Sequence, residues 1–124
     1  MRVTNAHIEG NTTIVELENV PLPDQKFKIV DSEPHVGSWD KEKKIRIDND
    51  IRKKNWILSL GVHESVEKWV YHTFFSHMTI EKSYLIIHGI AQSIEKKFHI
   101  RKWGLQSWTD YEKMVDIVYE KENS

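Results

Sequence analysis

The apolar residues of this chain change their spacing near its middle, and that change limits the folds it can adopt. In the first half they alternate with polar residues, which is the period of a strand with one buried face. From Ile80 they recur four, three, four, three and four residues apart, as on an amphipathic helix, at Ile80, Tyr84, Ile87, Ala91, Ile94 and Phe98. Strands followed by helices predict an α+β domain.

The first half contains five candidate strands. Arg2 to Ile8 and Thr12 to Asn19 are rich in β-branched residues, and Gly10-Asn11 between them suits a hairpin turn. In the second arm Thr13, Val15 and Leu17 share one face. The remaining candidates are Lys26 to Asp31, Lys44 to Asp48 and Asn55 to Leu60. We therefore expect an N-terminal antiparallel sheet of four to five strands.

Two to three helices from the second half are expected to pack against that sheet. Thr79 with Glu81 and Lys82 provides a start for the helix that carries the stripe. Ser107 and Thr109 resemble capping residues, which predicts a C-terminal helix of about three turns. The segment from Glu64 to Met78 fits both a helix and a strand, and we favour a helix. A chain of 124 residues is predicted to form one domain, residues 1–124.

Composition excludes several classes of protein. With 18 Lys and Arg against 19 Asp and Glu, no overall field attracts the chain to nucleic acid or to an acidic membrane. The absence of Cys excludes disulfides, a thiolate nucleophile and zinc sites that use sulfur. Neither a signal peptide nor a membrane-spanning run is present in the sequence, so we expect a cytoplasmic protein that does not bind membranes.

Cofactor motifs are also missing from the sequence. There is no phosphate loop, no dinucleotide glycine fingerprint and no nucleophile elbow. Asp48-Asn49-Asp50 opens like a calcium loop, but Lys53 stands where that loop needs its glycine. We therefore predict no cofactor.

Seven histidines are many for this length, and they raise the question of a metal or of catalysis. In His63-Glu64-Ser65-Val66-Glu67 a Glu replaces the second His of the helical zinc-protease motif, although His63 and Glu67 could share a metal on one helix face. Because no third ligand stands out, we expect scattered surface or core histidines. A His-dependent hydrolase remains an alternative, for example a ribonuclease built from His99, Arg101 and Lys102.

Cations interleaved with Trp mark the candidate binding residues. Between Lys41 and Lys54 there are seven cations and three acidic residues, and a second cluster surrounds Arg101. Such patterns hold phosphates with charge and stack bases on rings, although a solvated face gives the same pattern. The candidates are Trp39, Lys43, Lys44, Arg46, Arg52, Lys53, Trp56, Arg101, Lys102 and Trp103.

Five Trp are more than a core of this size requires, and Trp and Arg commonly anchor protein interfaces. The sequence therefore favours a non-catalytic protein that binds a protein partner stoichiometrically, such as an inhibitor or an immunity-type factor. The alternative is a binder of a phosphorylated small molecule, a nucleotide or a nucleic acid. A second copy of this chain, in a homo-oligomer, is a further candidate partner.

Aromatic landmarks from Phe27 to Phe75 provide one resemblance to a known family. Val36-Gly37-Ser38-Trp39-Asp40 is followed by Asn55-Trp56 and then by Lys68-Trp69-Val70-Tyr71. This order resembles that of starch-binding carbohydrate modules. The resemblance covers about two fifths of the chain and implies an all-β sandwich in which Trp residues stack on sugars.

Overall fold

The computed structural model describes residues 1–40 and 45–124, and it has a sheet followed by helices. The strands are β1 (Val3–Glu9), β2 (Thr12–Leu17), β3 (Val20–Pro21), β4 (Gln25–Val30), β5 (Gly37–Ser38) and β6 (Ile45–Asp48). The helices are α1 (Lys54–Val70), α2 (Ile80–Trp103) and α3 (Leu105–Glu122), and a π-helical turn, Tyr71–Phe75, follows α1. The α+β prediction is confirmed. Among the described helices, none combines the length and the apolar character that crossing a membrane requires.

The sheet has the strand order β1-β2-β4-β6-β5, and β3 pairs with β2. The predicted hairpin is confirmed, because β1 and β2 pair antiparallel and Gly10 turns the chain with φ 61°. The predicted alternation in β2 is also confirmed, since Thr13, Val15 and Leu17 are all buried. That face of β2 therefore meets the helices.

The sheet is mixed, whereas we expected antiparallel pairing throughout. Strand β6 lies between β4 and β5 and runs parallel to β4, with Phe27 opposite Ile45 and Ile29 opposite Ile47. The cause is the short strand β5, which lies between the predicted strands Lys26 to Asp31 and Lys44 to Asp48 and reverses the chain before β6 begins. A strand of two residues leaves no alternation that a sequence pattern can show.

The predicted strand Asn55 to Leu60 is wrong, because these residues open helix α1. Every residue from 58 to 67 is buried, since the sheet covers one side of α1 and side chains of α2 and α3 cover the others. A helix buried on all sides loses the one-sided stripe of a surface helix. Trp56, Leu58 and Leu60 therefore alternate without marking a strand.

Helices also replace the sandwich that the carbohydrate-module resemblance implied. Trp56, Lys68 and Trp69 lie in α1, and the preferred helix from Glu64 continues into the π-helical turn. The resemblance therefore does not extend to the fold. Two apolar clusters form the core, one between the β1–β2 hairpin, α1 and α2, the other between β4, β6, α1 and α3.

The predicted helix boundaries are close to the observed ones. The Thr79 hydroxyl accepts a hydrogen bond from the Lys82 backbone N–H at 3.2 Å, which confirms the expected start of α2. Gly104, with φ 96°, separates α2 from α3. Helix α3 has 18 residues, so it is longer than the three turns expected, and it begins before Ser107.

A close approach between α1 and β2 yields the first testable prediction. A Cβ at Gly61 would lie 2.6 Å from Thr13 Cγ2, so Gly61→Ala should destabilise the protein by about 1–3 kcal/mol. Thr13→Ser removes that methyl group but keeps the hydroxyl, which donates to the Gln25 carbonyl at 3.1 Å. Urea unfolding should therefore show the double variant recovering most of the loss. Additive losses would contradict the contact.

Candidate functional site

Helices α1 and α2 bring three potential metal ligands together. His63 and Glu67 lie one turn apart on α1, and His63 Nε2 donates to Glu67 Oε2 at 2.8 Å. From α2, His88 Nδ1 lies 2.9 Å from the same oxygen and 3.2 Å from His63 Nε2. The three atoms thus form a triangle with similar edges. Ligands of a tetrahedral zinc ion with bonds of about 2.0–2.1 Å lie about 3.3 Å apart, so this triangle is close to one face of such a site.

Each buried ligand is held from behind by a second residue. His63 Nδ1 donates to Glu95 Oε1 at 3.0 Å, and Trp39 Nε1 donates to Glu67 Oε1 at 3.1 Å. One nitrogen of His63 and one oxygen of Glu67 therefore remain directed at His88. A carboxylate on the far nitrogen of a ligand histidine is the usual support for a metal site, because it fixes the ring and increases its basicity.

The support continues as a buried chain of hydrogen bonds away from the cluster. The Ser59 hydroxyl donates to Glu95 Oε2 at 2.6 Å, so it accepts from His99 Nδ1 at 2.9 Å. His99 Nε2 then accepts from the Ser107 hydroxyl at 2.8 Å, near the start of α3. Because burial lowers the pKa of His99, its ring is neutral and this order of donors is self-consistent.

The pKa values of the two ligands on α1 show how strongly they interact. Burial opposes the charged form of His63, but hydrogen bonds to Glu67 and Glu95 outweigh it and raise the pKa of His63 well above its usual value. Burial opposes the charge of Glu67 as well, yet hydrogen bonds from His63 and His88 lower its pKa to about 2. Both side chains are therefore charged when no metal is bound.

Glu64 differs from these ligands because its charge is poorly balanced. Its side chain is 4% exposed, and Oε2 has no hydrogen-bond partner within the described residues. Burial and then the neighbouring charge of Glu67 raise the pKa of Glu64 well above its usual value. A buried carboxylate with an unpaired oxygen needs an explanation, and a bound ligand or ion would supply one.

Two cavities, of about 320 and 310 Å³, open on either side of Glu64. They share four lining residues, His35, Gly37, Glu64 and Tyr84, so they adjoin, and we call the two together the cleft. The first also reaches His63, His88 and Glu95, and the second reaches Glu67. The ligand cluster therefore lies on the wall of the cleft.

Tyr84, Tyr111 and Tyr119 line the same cleft, and the first two have shifted pKa values. The Tyr84 ring stacks on His88 with centroids 5.4 Å apart, and its hydroxyl lies 3.5 Å from His88 Nδ1. Burial and then the charge of Glu67 raise the pKa of Tyr84 to about 12. Burial and then the charge of Glu95 raise the pKa of Tyr111 well above its usual value. Both hydroxyls thus remain protonated donors.

The structure places one predicted binding residue at this cluster. Trp39 is half-buried and contacts Glu67, as described above. Arg46 instead pairs with Asp40 at 3.1 Å, while Arg52 is exposed and lies 3.8 Å from Asp50. The predicted residues Lys43 and Lys44 lie outside the described residues.

The remaining predicted residues lie away from the cluster. Lys53 lies over the ring of Trp56 at 4.4 Å, and Trp56 itself is buried against Tyr111. Arg101 donates to the Val3 carbonyl. Lys102 and Trp103 line a separate cavity of about 530 Å³ together with Lys54. The structure therefore does not bring the predicted cations and Trp residues into one site.

Sequence reasoning noted that His63 and Glu67 could share a metal, but it predicted scattered histidines and missed the residues that complete the cluster. His88 and Glu95 are seven residues apart on α2, which places them on one helix face towards α1. That spacing was the available signal. It became informative only once α2 was known to pack against α1.

Asp48, Asp50 and Glu122 form a second group of acidic residues. Asp48 accepts backbone N–H bonds from Glu33 and Asp50 at 3.0 and 2.9 Å. Lys121 pairs with Asp50 at 2.6 Å and lowers the pKa of that carboxyl. These contacts tie Asp48 and Asp50 to the neighbouring backbone and to α3.

Comparisons with known proteins provide no relative for this site. No family model matches the chain, and neither the curated proteins nor the solved structures contain a match to it. The chemistry of the cleft must therefore be argued from its own residues.

The buried hydrogen-bond chain yields the second prediction. Ser59 is fully buried and bridges Glu95 and His99, so Ser59→Ala removes the acceptor of His99 Nδ1 and one of the donors to Glu95 and should cost about 1–3 kcal/mol. Ser93→Ala, on the exposed face of α2, is the matched control and should change stability by less than about 0.5 kcal/mol. Urea unfolding of metal-free protein measures both. Equal effects would show that the chain does not stabilise the fold.

Proposed function

We propose that this protein is a zinc-dependent hydrolase that cleaves an ester or amide bond. The observation that carries the proposal is the triangle of His63 Nε2, Glu67 Oε2 and His88 Nδ1, with edges of 2.8, 2.9 and 3.2 Å, on the wall of a cleft. Two His and one Glu with an open fourth position are a ligand set of catalytic zinc sites, whereas structural sites are closed by four protein ligands.

Charge supports a cation at this position. Glu67 and Glu95 are both buried, and both accept hydrogen bonds from one imidazole ring, that of His63. Buried charges are retained when they are paired or when they coordinate a metal. A divalent ion would replace the proton on His63 Nε2 and would balance the carboxylates that remain.

Glu64 provides the second catalytic group. It follows the ligand His63 on α1, and its buried carboxylate faces the cleft without a partner among the described residues. When bound, zinc polarises a water molecule. Glu64 would accept a proton from that water, leaving hydroxide to attack the carbonyl carbon, and would then return the proton to the leaving oxygen or nitrogen.

The negative charge that develops on the carbonyl oxygen requires a donor as well as the ion. Tyr84 lines both halves of the cleft, and its hydroxyl lies beside His88. A donor fixed in this position stabilises the oxyanion of the tetrahedral intermediate. Tyr84 would therefore complete the set of catalytic groups.

The same ligand set also binds iron(II) in oxygenases, which leave positions open for oxygen and an organic co-substrate. Glu64 favours hydrolysis, because a carboxylate beside the ion has a clear task in removing a proton from water. The earlier predictions of a protein partner, of a phosphorylated ligand and of a cytoplasmic location remain predictions.

Metal binding is the third prediction. The full chain, freed of metal and titrated with zinc, should bind one ion, and His88→Ala should weaken that binding by more than about tenfold. His77→Ala is the control, since His77 is exposed and lies outside the cluster. Calorimetry and native mass spectrometry measure affinity and stoichiometry. Weak binding that His88→Ala does not change would overturn the zinc site.

Catalysis by Glu64 is the fourth prediction. Glu64→Gln should retain zinc but lower the rate of p-nitrophenyl acetate hydrolysis by the zinc-loaded protein, by about 10²- to 10⁴-fold. Glu120→Gln, at the exposed end of α3, should leave the rate unchanged. If both variants retain the wild-type rate, or if iron-loaded protein consumes oxygen instead, the hydrolase proposal fails.

A further inference from the structure

Strand β5 leaves one edge of the sheet next to the cleft. In its pairing with β6, Gly37 lies opposite Ile47, and the Asp48 N–H donates to the Val36 carbonyl at 2.8 Å. In an antiparallel ladder, hydrogen-bonded pairs alternate with pairs that are not hydrogen-bonded. Because Val36 and Asp48 form a hydrogen-bonded pair, the next pair, Gly37 and Ile47, is not hydrogen-bonded. The N–H and C=O of Gly37 therefore point away from β6, towards the sheet edge, where no described strand pairs with them.

The backbone before this edge is held in an unusual conformation. Val36 has φ 69°, in the left-handed region that β-branched residues rarely adopt. Its N–H donates to the Glu33 carbonyl at 2.9 Å and its side chain is buried, so the surroundings hold it in place. Strain of this kind is concentrated at functional sites, where it positions neighbouring groups. Here the neighbouring group is Gly37.

The edge and the cleft coincide. Gly37 lines both cavities, as Glu64 does, so a chain lying along β5 would pass Glu64 with residues on either side. The Ser38 hydroxyl oxygen is buried without a partner among the described residues, and it lines the second cavity. An extended backbone would supply hydrogen-bond partners for the N–H and C=O groups at this edge.

The charge of the cleft restricts what can lie in it. Its charged residues other than His are all acidic among the described ones: Glu64, Glu67, Glu81, Glu95, Glu112 and Asp116. Glu112 and Asp116 are one turn apart on α3 and both are exposed, so they lie where a substrate side chain can reach them. Such a surface repels phosphates and attracts Lys and Arg.

We propose that the substrate is an extended polypeptide that pairs with Gly37 as an added strand and carries a Lys or Arg side chain that contacts Glu112 and Asp116. The inference rests on the proposed hydrolase and specifies its substrate. The bond cleaved is an amide of the added strand next to Glu64. Main-chain hydrogen bonds then give affinity, and the acidic pair gives specificity.

The test uses zinc-loaded full-length protein and a peptide library. Digestion of a cell lysate after Glu leaves peptides that retain internal Lys and Arg, and mass spectrometry identifies new termini. We expect cleavage that Glu64→Gln abolishes, with Lys or Arg enriched at one fixed position relative to the cut. In Glu112→Gln/Asp116→Asn, that enrichment should fall about tenfold, because two attractions are removed.

Backbone pairing is tested on the best-cleaved peptide. N-methylation of one amide removes a donor without changing any side chain. We expect a single position, the one opposite Gly37, at which N-methylation lowers kcat/KM at least tenfold, since adjacent amides point to the other side of the added strand. A uniform effect at all positions would overturn strand addition.

Hydrolysis of p-nitrophenyl acetate distinguishes failure of this inference from failure of the proposed function. If p-nitrophenyl acetate is hydrolysed in a Glu64-dependent way but no library peptide is cleaved, the substrate is not a polypeptide. Cleavage without enrichment of Lys or Arg, or with enrichment that the Glu112 and Asp116 variant retains, would overturn the acidic pair. If neither the ester nor any peptide is hydrolysed, both proposals fail.

Discussion

The burial of charged residues on α1 is the constraint on which the rest of the structure depends. His63, Glu64 and Glu67 occupy the part of the helix that is covered on all sides. Removing charges from water is costly, and the cost is offset only where partners satisfy them. The chain places Glu95 and His88 on α2 and Trp39 after β5 to meet this need, so helix packing and the polar cluster specify each other.

The same burial explains which parts of the fold could be predicted from the sequence. Strand β2 has one covered face and α2 has one buried stripe, so Thr13, Val15, Ile87 and Phe98 reveal their elements by spacing. Helix α1 lies at the centre and has no exposed face between residues 58 and 67, so the one-sided apolar stripe of a surface helix is missing and its first residues alternate like a strand. Parallel pairing of β4 with β6 depends on where β6 inserts, which local patterns do not encode.

The candidate site was harder to predict than the fold, for a different reason. The spacing of His63 and Glu67 is local and was visible, whereas His88 reaches them only through the packing of α2 on α1. The Trp and cation pattern drew attention to other surfaces because composition records how many such residues exist, not where they meet. Trp39 illustrates this, since its indole N–H donates to Glu67, a contact that its position in the sequence does not indicate.

One contact fixes the distance between the sheet edge and the ligand cluster. A Cβ at Gly37 would lie 2.9 Å from Leu60 Cγ, so β5 packs directly on α1, one turn before His63. Because packed interiors deform little, the backbone of an added strand would be held at a set position relative to the ion. Rigid placement of the reacting groups lowers the barrier by reducing the entropy that must be lost during reaction. The buried polar cluster on α1 and the strained turn at Val36 would therefore together set the position of the added strand relative to the ligands.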